Sequence, residues 1–246
     1  MGLEAATVRV RFLALTGALD AQLRLWRSML DDEERCRADR FHFQRDREAF
    51  TAAHALKRAM LSEATGAPIT SWRFRQGPYG KPEIAAGPGL QQLCFNISHT
   101  DGLIACAVTY GCDLGIDVEA SNRTIDLAIT DRYFAPSEAA IIRAAPPDQA
   151  LCLFFRFWTL KEAFIKATGE GLSRPLASFA FTLDPISVAF YPNGDGAMRD
   201  DNPARWQFAQ CRPVPDRFLA LALRRADTAN VPIDIRAVQR EEISPR

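Results

Sequence analysis

The 246-residue chain has no excess charge of either sign, with 30 lysines and arginines against 30 aspartates and glutamates. A uniformly basic surface, the footprint of a nucleic-acid binder, is not implied, although local patches remain open. There is no C-x-x-C pair. The six cysteines, Cys36, Cys94, Cys106, Cys112, Cys152 and Cys211, are scattered. In a chain of this size they read as buried, reduced thiols of a cytoplasmic protein, not as a disulfide framework or a zinc site. No apolar run is long enough to span a membrane. Arg9 and Arg11 before Phe12-Leu13-Ala14-Leu15 have the outline of a signal peptide, but the run is short and Asp20 and Arg24 follow closely. A first strand is expected there instead. What remains is an ordinary globular composition, 48% hydrophobic and 24% charged, with length enough to bury a sizeable core.

The stretch that organises the rest is Gly115-Ile116-Asp117-Val118-Glu119. Ile116 and Val118 favour a strand, in which side chains alternate faces. Asp117 and Glu119 then share a face, and their carboxylates repel unless a positive group lies between them. Mg²⁺ suits such a pair, because it takes oxygen ligands and is often held by one or two carboxylates plus substrate phosphates. Taken alone, the pentapeptide fits equally a solvated edge strand whose acids face water.

Around it, Val8 to Leu15 reads as a strand and Leu19 to Leu30 as a helix, with Leu19, Leu23, Trp26 and Leu30 at helical spacing. Between Arg35 and Arg58 seven basic residues face three acids, Asp39, Asp46 and Glu48, interleaved with Phe41, Phe43, Phe50, Leu56 and Met60. The segment is either a solvated face or an anion site, since clustered guanidinium groups suit phosphate oxygens. Gly77-Pro78-Tyr79-Gly80-Lys81-Pro82 is a constrained loop that presents Lys81. Asn96, Ser98, His99, Thr100 and Asp101 crowd a connection between two strands. Ile125 to Tyr133 and Pro136 to Arg143 read as helices, and the longest helix is expected from about Gln149 to Thr168, closed by Gly169 and Gly171. On it Trp158, Glu162 and Lys166 recur every four residues and share a face. An exposed Glu-Lys pair at that spacing is worth little.

The halves echo each other. Leu56-Lys57-Arg58-Ala59-Met60-Leu61 resembles Leu160-Lys161-Glu162-Ala163-Phe164-Ile165, and Ala64-Thr65-Gly66 resembles Ala167-Thr168-Gly169. Ser71-Trp72-Arg73-Phe74 recurs as Ser178-Phe179-Ala180-Phe181, and Leu103 to Val108 as Phe218 to Leu223. Four matches in order indicate a duplicated helix-strand-strand unit. The expected architecture is α/β (α+β): a pseudo-dimer of residues 1–111 and 112–225, each a small antiparallel sheet packed with a long helix. Residues 226–246 are expected to be a peripheral tail with one strand at Val231 to Ile235. A site drawing Lys81 and His99 from one half and Asp117, Glu119, Glu162 and Lys166 from the other belongs in the cleft between them.

Five stretches together resemble a known family. They are Arg37-x-x-Arg40-Phe41, Gly80-Lys81-Pro82, Phe95-Asn96-Ile97-Ser98-His99, Gly115-Ile116-Asp117-Val118-Glu119 and Phe157-Trp158-x-x-Lys161-Glu162-x-x-x-Lys166. In this order and spacing they resemble the 4'-phosphopantetheinyl transferases of the larger, surfactin-synthetase-activating class, over roughly residues 30–225. The resemblance implies a monomer that binds coenzyme A in its cleft and moves phosphopantetheine to a serine of an acyl or peptidyl carrier protein, leaving adenosine 3',5'-bisphosphate. It implies Mg²⁺ held by Asp117, Glu119 and Glu162, phosphates neutralised by Lys166, and Glu162 as a base. Arg37, Lys81 and His99 would grip nucleotide phosphates, with Gln76 and the Asn96–Ser98 backbone lining the adenosine side. Some relatives carry lysine where this chain has Glu34, so the 3'-phosphate would lean on Arg37. Two other classes stay open: a non-catalytic carrier-binding module, and a coenzyme A-dependent acyltransferase, which would not need three carboxylates.

Overall fold

Two 22-residue helices, Gln44–Thr65 and Pro147–Thr168, dominate the chain, and both stop for the same reason. Each ends on a glycine in the left-handed region, Gly66 and Gly169, both at φ 74°. A side chain is strained at that angle, whereas glycine turns the chain freely. The computed structural model describes residues 7–17, 19–85, 92–191 and 202–245. The first run of elements is β1 (Val8–Ala14), α1 (Asp20–Met29), α2 (Asp32–Asp39), α3 (Gln44–Thr65), a hairpin of β2 (Phe74–Gln76) and β3 (Pro82–Ile84), β4 (Leu93–Thr100) and β5 (Leu103–Tyr110). The second is β6 (Asp113–Ala120), α4 (Thr130–Tyr133), α5 (Pro136–Ala144), α6 (Pro147–Thr168), a hairpin of β7 (Phe179–Leu183) and β8 (Ile186–Phe190), β9 (Trp206–Cys211) and β10 (Arg217–Arg224). A last strand, β11 (Ile233–Ala237), follows.

The two runs build the same sheet. Order β1-β5-β4 in one matches β6-β10-β9 in the other, antiparallel throughout. Alternation then makes three cores. Ile104, Cys106 and Val108 of β5 face α3, and Ala220 and Ala222 of β10 face α6. The opposite faces, including Leu103, Ala105, Leu219 and Leu221, meet in a third core between the sheets. The layers are therefore helix, sheet, sheet, helix, with β4 and β6 brought side by side at their edges. Among the described residues no helix is long and apolar enough to cross a membrane.

Five expectations need correction. The match of Leu103–Val108 to Phe218–Leu223 picks the right strands but slips by one residue. Leu103 faces the central core and Phe218 faces α6, and a one-residue slip exchanges the faces of a strand. Residues 226–246 are not peripheral: β11 pairs in parallel with β1, and Val238 and Ile243 are buried in the α3 core, where Trp26 Nε1 donates to the Ile243 carbonyl. The helix expected at Ile125 to Tyr133 shrinks to a 3₁₀ turn and the single turn of α4, because Asp126 accepts from the Ala128 N–H and starts a tight turn. The six thiols are free, yet only Cys106 and Cys112 are buried. The basic segment is also not one solvated face, since Lys57 and Arg58 are 1% exposed and bound to Glu34.

Candidate active site at the seam between the halves

The seam is built by side chains. An edge strand leaves every second N–H and C=O unpaired. Along β6 those groups meet alternate residues of β4: Asn96 Oδ1 accepts from Ile116 N–H at 2.9 Å, Ser98 Oγ from Val118 at 3.2 Å, and Thr100 Oγ1 from Ala120 at 3.2 Å. The Asn-x-Ser-x-Thr alternation is the sequence signal for this seam, beyond the polar connection expected at Asn96, Ser98 and Thr100.

Gly115 sets the distance to α6. A Cβ there would lie 2.1 Å from the Ala163 carbonyl oxygen and 2.4 Å from the Ala167 nitrogen. Only a hydrogen fits, so α6 rests directly on β6. Glu162 and Lys166, one turn apart on that helix, thereby reach the face that carries Asp117 and Glu119.

Lys166 does not pair with Glu162. Its ammonium donates to Asp117 Oδ1 at 2.6 Å and to Ser98 Oγ at 3.1 Å. Ser98 in turn donates to Asp117 Oδ1 at 3.0 Å. Asp117 Oδ2 is buried without a partner among the described residues. Burial raises the Asp117 pKa, opposed by Lys166. Glu119 accepts from Trp158 Nε1 at 3.0 Å and from Arg123 at 2.7 Å; both donors went unnoticed as its partners in the sequence. Its pKa is raised by burial and then by Asp117. Glu162 accepts no hydrogen bond from the described residues, and burial, Asp117 and Glu119 push its pKa up to about 7.

These groups line one cleft of about 620 Å³, together with Arg37, Phe41, Phe50, His54, Lys81 and His99 of the first half. Arg37 is exposed, its guanidinium 5.6 Å from the Phe50 ring centroid. His99 stands at the rim with no hydrogen bond to the described residues. Its pKa is lowered, first by the wall behind it and then by the Lys166 charge. Lys81 reaches the cleft wall, but its ammonium donates to two backbone carbonyls of the second half, Leu114 at 3.0 Å and Ala167 at 3.1 Å. Gln76 lies exposed on β2 and is not among the residues lining the cleft. Glu34 is spoken for: Lys57 at 2.6 Å, Arg58 at 2.7 Å and His54 at 2.8 Å surround it and hold its carboxyl well below the usual range against the opposing effect of burial.

Comparison with known proteins gives matches in both halves. A model of the 4'-phosphopantetheinyl transferase superfamily matches residues 113–221, and a model of the 4'-phosphopantetheinyl transferase N-terminal part matches residues 18–110. The 4'-phosphopantetheinyl transferase HetI of a Nostoc species is 33% identical over 205 residues, 83% of this chain and 82% of the relative. A 4'-phosphopantetheinyl transferase of Bacillus subtilis is 38% identical over 192 residues, 76% of this chain and 82% of the relative. This chain belongs to the 4'-phosphopantetheinyl transferase family. A further transferase of that family, Sfp of Bacillus subtilis, is 34% identical over 63% of this chain and 67% of its own.

Whether the acids of this transferase suit a cation is tested by their surroundings. Among the described residues, no group of three His, Cys, Asp or Glu side chains is close enough to hold a metal ion. Lys166 occupies one oxygen of Asp117, and Trp158 with Arg123 occupies Glu119. Two features nevertheless fit a hard cation: Asp117 Oδ2, unpartnered among the described residues, and a Glu162 whose pKa is raised by burial and by the two other carboxylates near it.

Proposed function

We propose that this chain, acting as a cytoplasmic monomer, transfers the 4'-phosphopantetheine group of coenzyme A to a serine hydroxyl of an acyl or peptidyl carrier protein. The observation that carries the reading is the convergence of Asp117, Glu162 and Lys166 on a cleft that also takes Arg37 and His99 from the other half. A polyanionic substrate matches such a cleft, which carries acids and an ammonium from the second half and the exposed guanidinium of Arg37 from the first. Mg²⁺, held by Asp117, Glu119 and Glu162, would supply positive charge to the pyrophosphate oxygens.

The chain's own residues do the rest. Arg37 and His99 hold nucleotide phosphates, and the Asn96–Ser98 backbone lines the adenosine side. Lys166 places its charge against the pyrophosphate, where negative charge spreads during phosphoryl transfer. The serine oxygen attacks the phosphorus that bears pantetheine, the bridging P–O bond breaks, and adenosine 3',5'-bisphosphate leaves. Glu162 takes the serine proton, directly or through a water.

The test is incubation with apo carrier protein, coenzyme A and Mg²⁺, read by intact mass. Addition of phosphopantetheine is expected. Acyl addition would instead mark an acyltransferase, and an unchanged carrier, across a panel of carriers, would mark a binding module.

A further inference from the structure

We propose that Lys81 is a positioning residue that staples α6 to β6, and not a ligand of the nucleotide phosphates. This rests on the transferase reading above and departs from the role that the resemblance suggests for it. The geometry of β6 carries the argument. Backbone groups of alternate residues point to the same side of a strand, so the C=O of Leu114 lies on the edge whose N–H groups at Ile116, Val118 and Ala120 bond to Asn96, Ser98 and Thr100. Lys81 takes that carbonyl at 3.0 Å. It is the first of four side chains from one half that pair the free edge of the other.

Its second bond reaches the helix. Ala167 lies in the last turn of α6, where carbonyls have no intrahelical partner and carry the negative end of the helix dipole. Lys81 thus joins β6 to α6 one residue from Gly115, where the two backbones are in contact, and one residue from Lys166. The stem fits the same place: its Cδ would be 3.6 Å from a Cβ at Gly169, the glycine that ends the helix. Moving this ammonium to a substrate phosphate would strand two carbonyls at the point that aligns Lys166 with Asp117. Burial accompanies these bonds and lowers the Lys81 pKa.

Lys81→Met keeps the stem and removes the donors. Turnover is expected to fall roughly ten- to hundredfold, the usual consequence of a small misplacement in an aligned site. The dissociation constant of adenosine 3',5'-bisphosphate, measured by calorimetry, is expected to stay within about threefold, and amides of the last α6 turn to exchange faster with deuterium. Lys81→Arg should recover most of the turnover. A tenfold or larger loss of bisphosphate affinity with unchanged exchange, or parental turnover in Lys81→Met, overturns the proposal. If Lys81→Met does not fold, the parent decides by nitrogen-15 spectroscopy. The Lys81 ammonium protons should be protected equally with and without the bisphosphate, and protection that appears only with ligand overturns the staple. An inactive parent in the mass assay would overturn the transferase reading alone, because affinity and exchange still judge Lys81.

Discussion

The halves of this molecule share a scaffold and divide the work. At equivalent places, 104 residues apart, Glu34 and Glu138 each sit third in a short helix, are buried, and bind a lysine of the long helix, Lys57 at 2.6 Å and Lys161 at 2.8 Å. The same offset relates Leu13 to Asp117 and Arg58 to Glu162. Where the first half places an apolar residue against α3, the second places a carboxylate against α6. Where the first half ties Arg58 into Glu34 and Asp31, the second leaves Glu162 without a hydrogen bond among the described residues. One half spends these positions on packing and ion pairing; the other leaves Asp117 Oδ2 and Glu162 without a hydrogen bond among the described residues.

The largest expected effect contrasts Asp117 with Leu13. Asp117→Ala should cut turnover by roughly a thousandfold or more, from loss of several kcal/mol of charge stabilisation, with its melting temperature preserved. Leu13→Ala should do the reverse, costing about 2–5 kcal/mol of stability through a core cavity while the folded fraction keeps its rate. Equal losses of activity in both would erase the division between the halves.

Next comes the buried lysine. Lys161 also donates to the carbonyls of Leu176 and Phe179, both at 2.7 Å, so α6, α5 and β7 meet on it. Lys161→Met should cost about 3–5 kcal/mol, because Glu138 is left buried without its cation. Lys57→Met should cost less, since Glu34 keeps Arg58 and His54. Denaturant titrations of both variants measure the difference; a larger loss for Lys57 would show that the first half, not the second, leans on its ion pair. Smaller still is His99→Ala, expected to weaken coenzyme A binding by about 1.5–3 kcal/mol at unchanged melting temperature, as a calorimetric titration would show.

Much of this was legible in the sequence. Period-two alternation put Asp117 and Glu119 on one face, and period four put Glu162 and Lys166 on another. The glycine stop at 169 marked the end of α6. What was hidden depends on partners distant in the chain. Gly115 matters through backbone atoms 48 and 52 residues away, at Ala163 and Ala167. Lys81 looks presented by its loop, yet its bonds lie 33 and 86 residues on. The strand expected at Val231 to Ile235 overlaps β11, but its place in the sheet comes from pairing with β1, which the tail's own residues do not announce. Repeats located the strands but not their register, because Leu103–Val108 and Phe218–Leu223 are apolar on both faces.

We propose that the second half's carboxylates form a cation seat. The Glu162 pKa is raised from 4.5 to about 7, so below the lower value its burial costs nothing, and as pH rises through the higher one ionisation costs the metal-free fold stability. A cation that needs the ionised form must displace that proton. Calorimetric titration of Mg²⁺ into the parent and into Glu162→Gln, at about pH 6 and about pH 8, is the most direct test. Tighter Mg²⁺ binding is expected at the higher pH in the parent, and weaker, pH-insensitive binding in Glu162→Gln. Binding that is the same in both proteins at both pH values would contradict it.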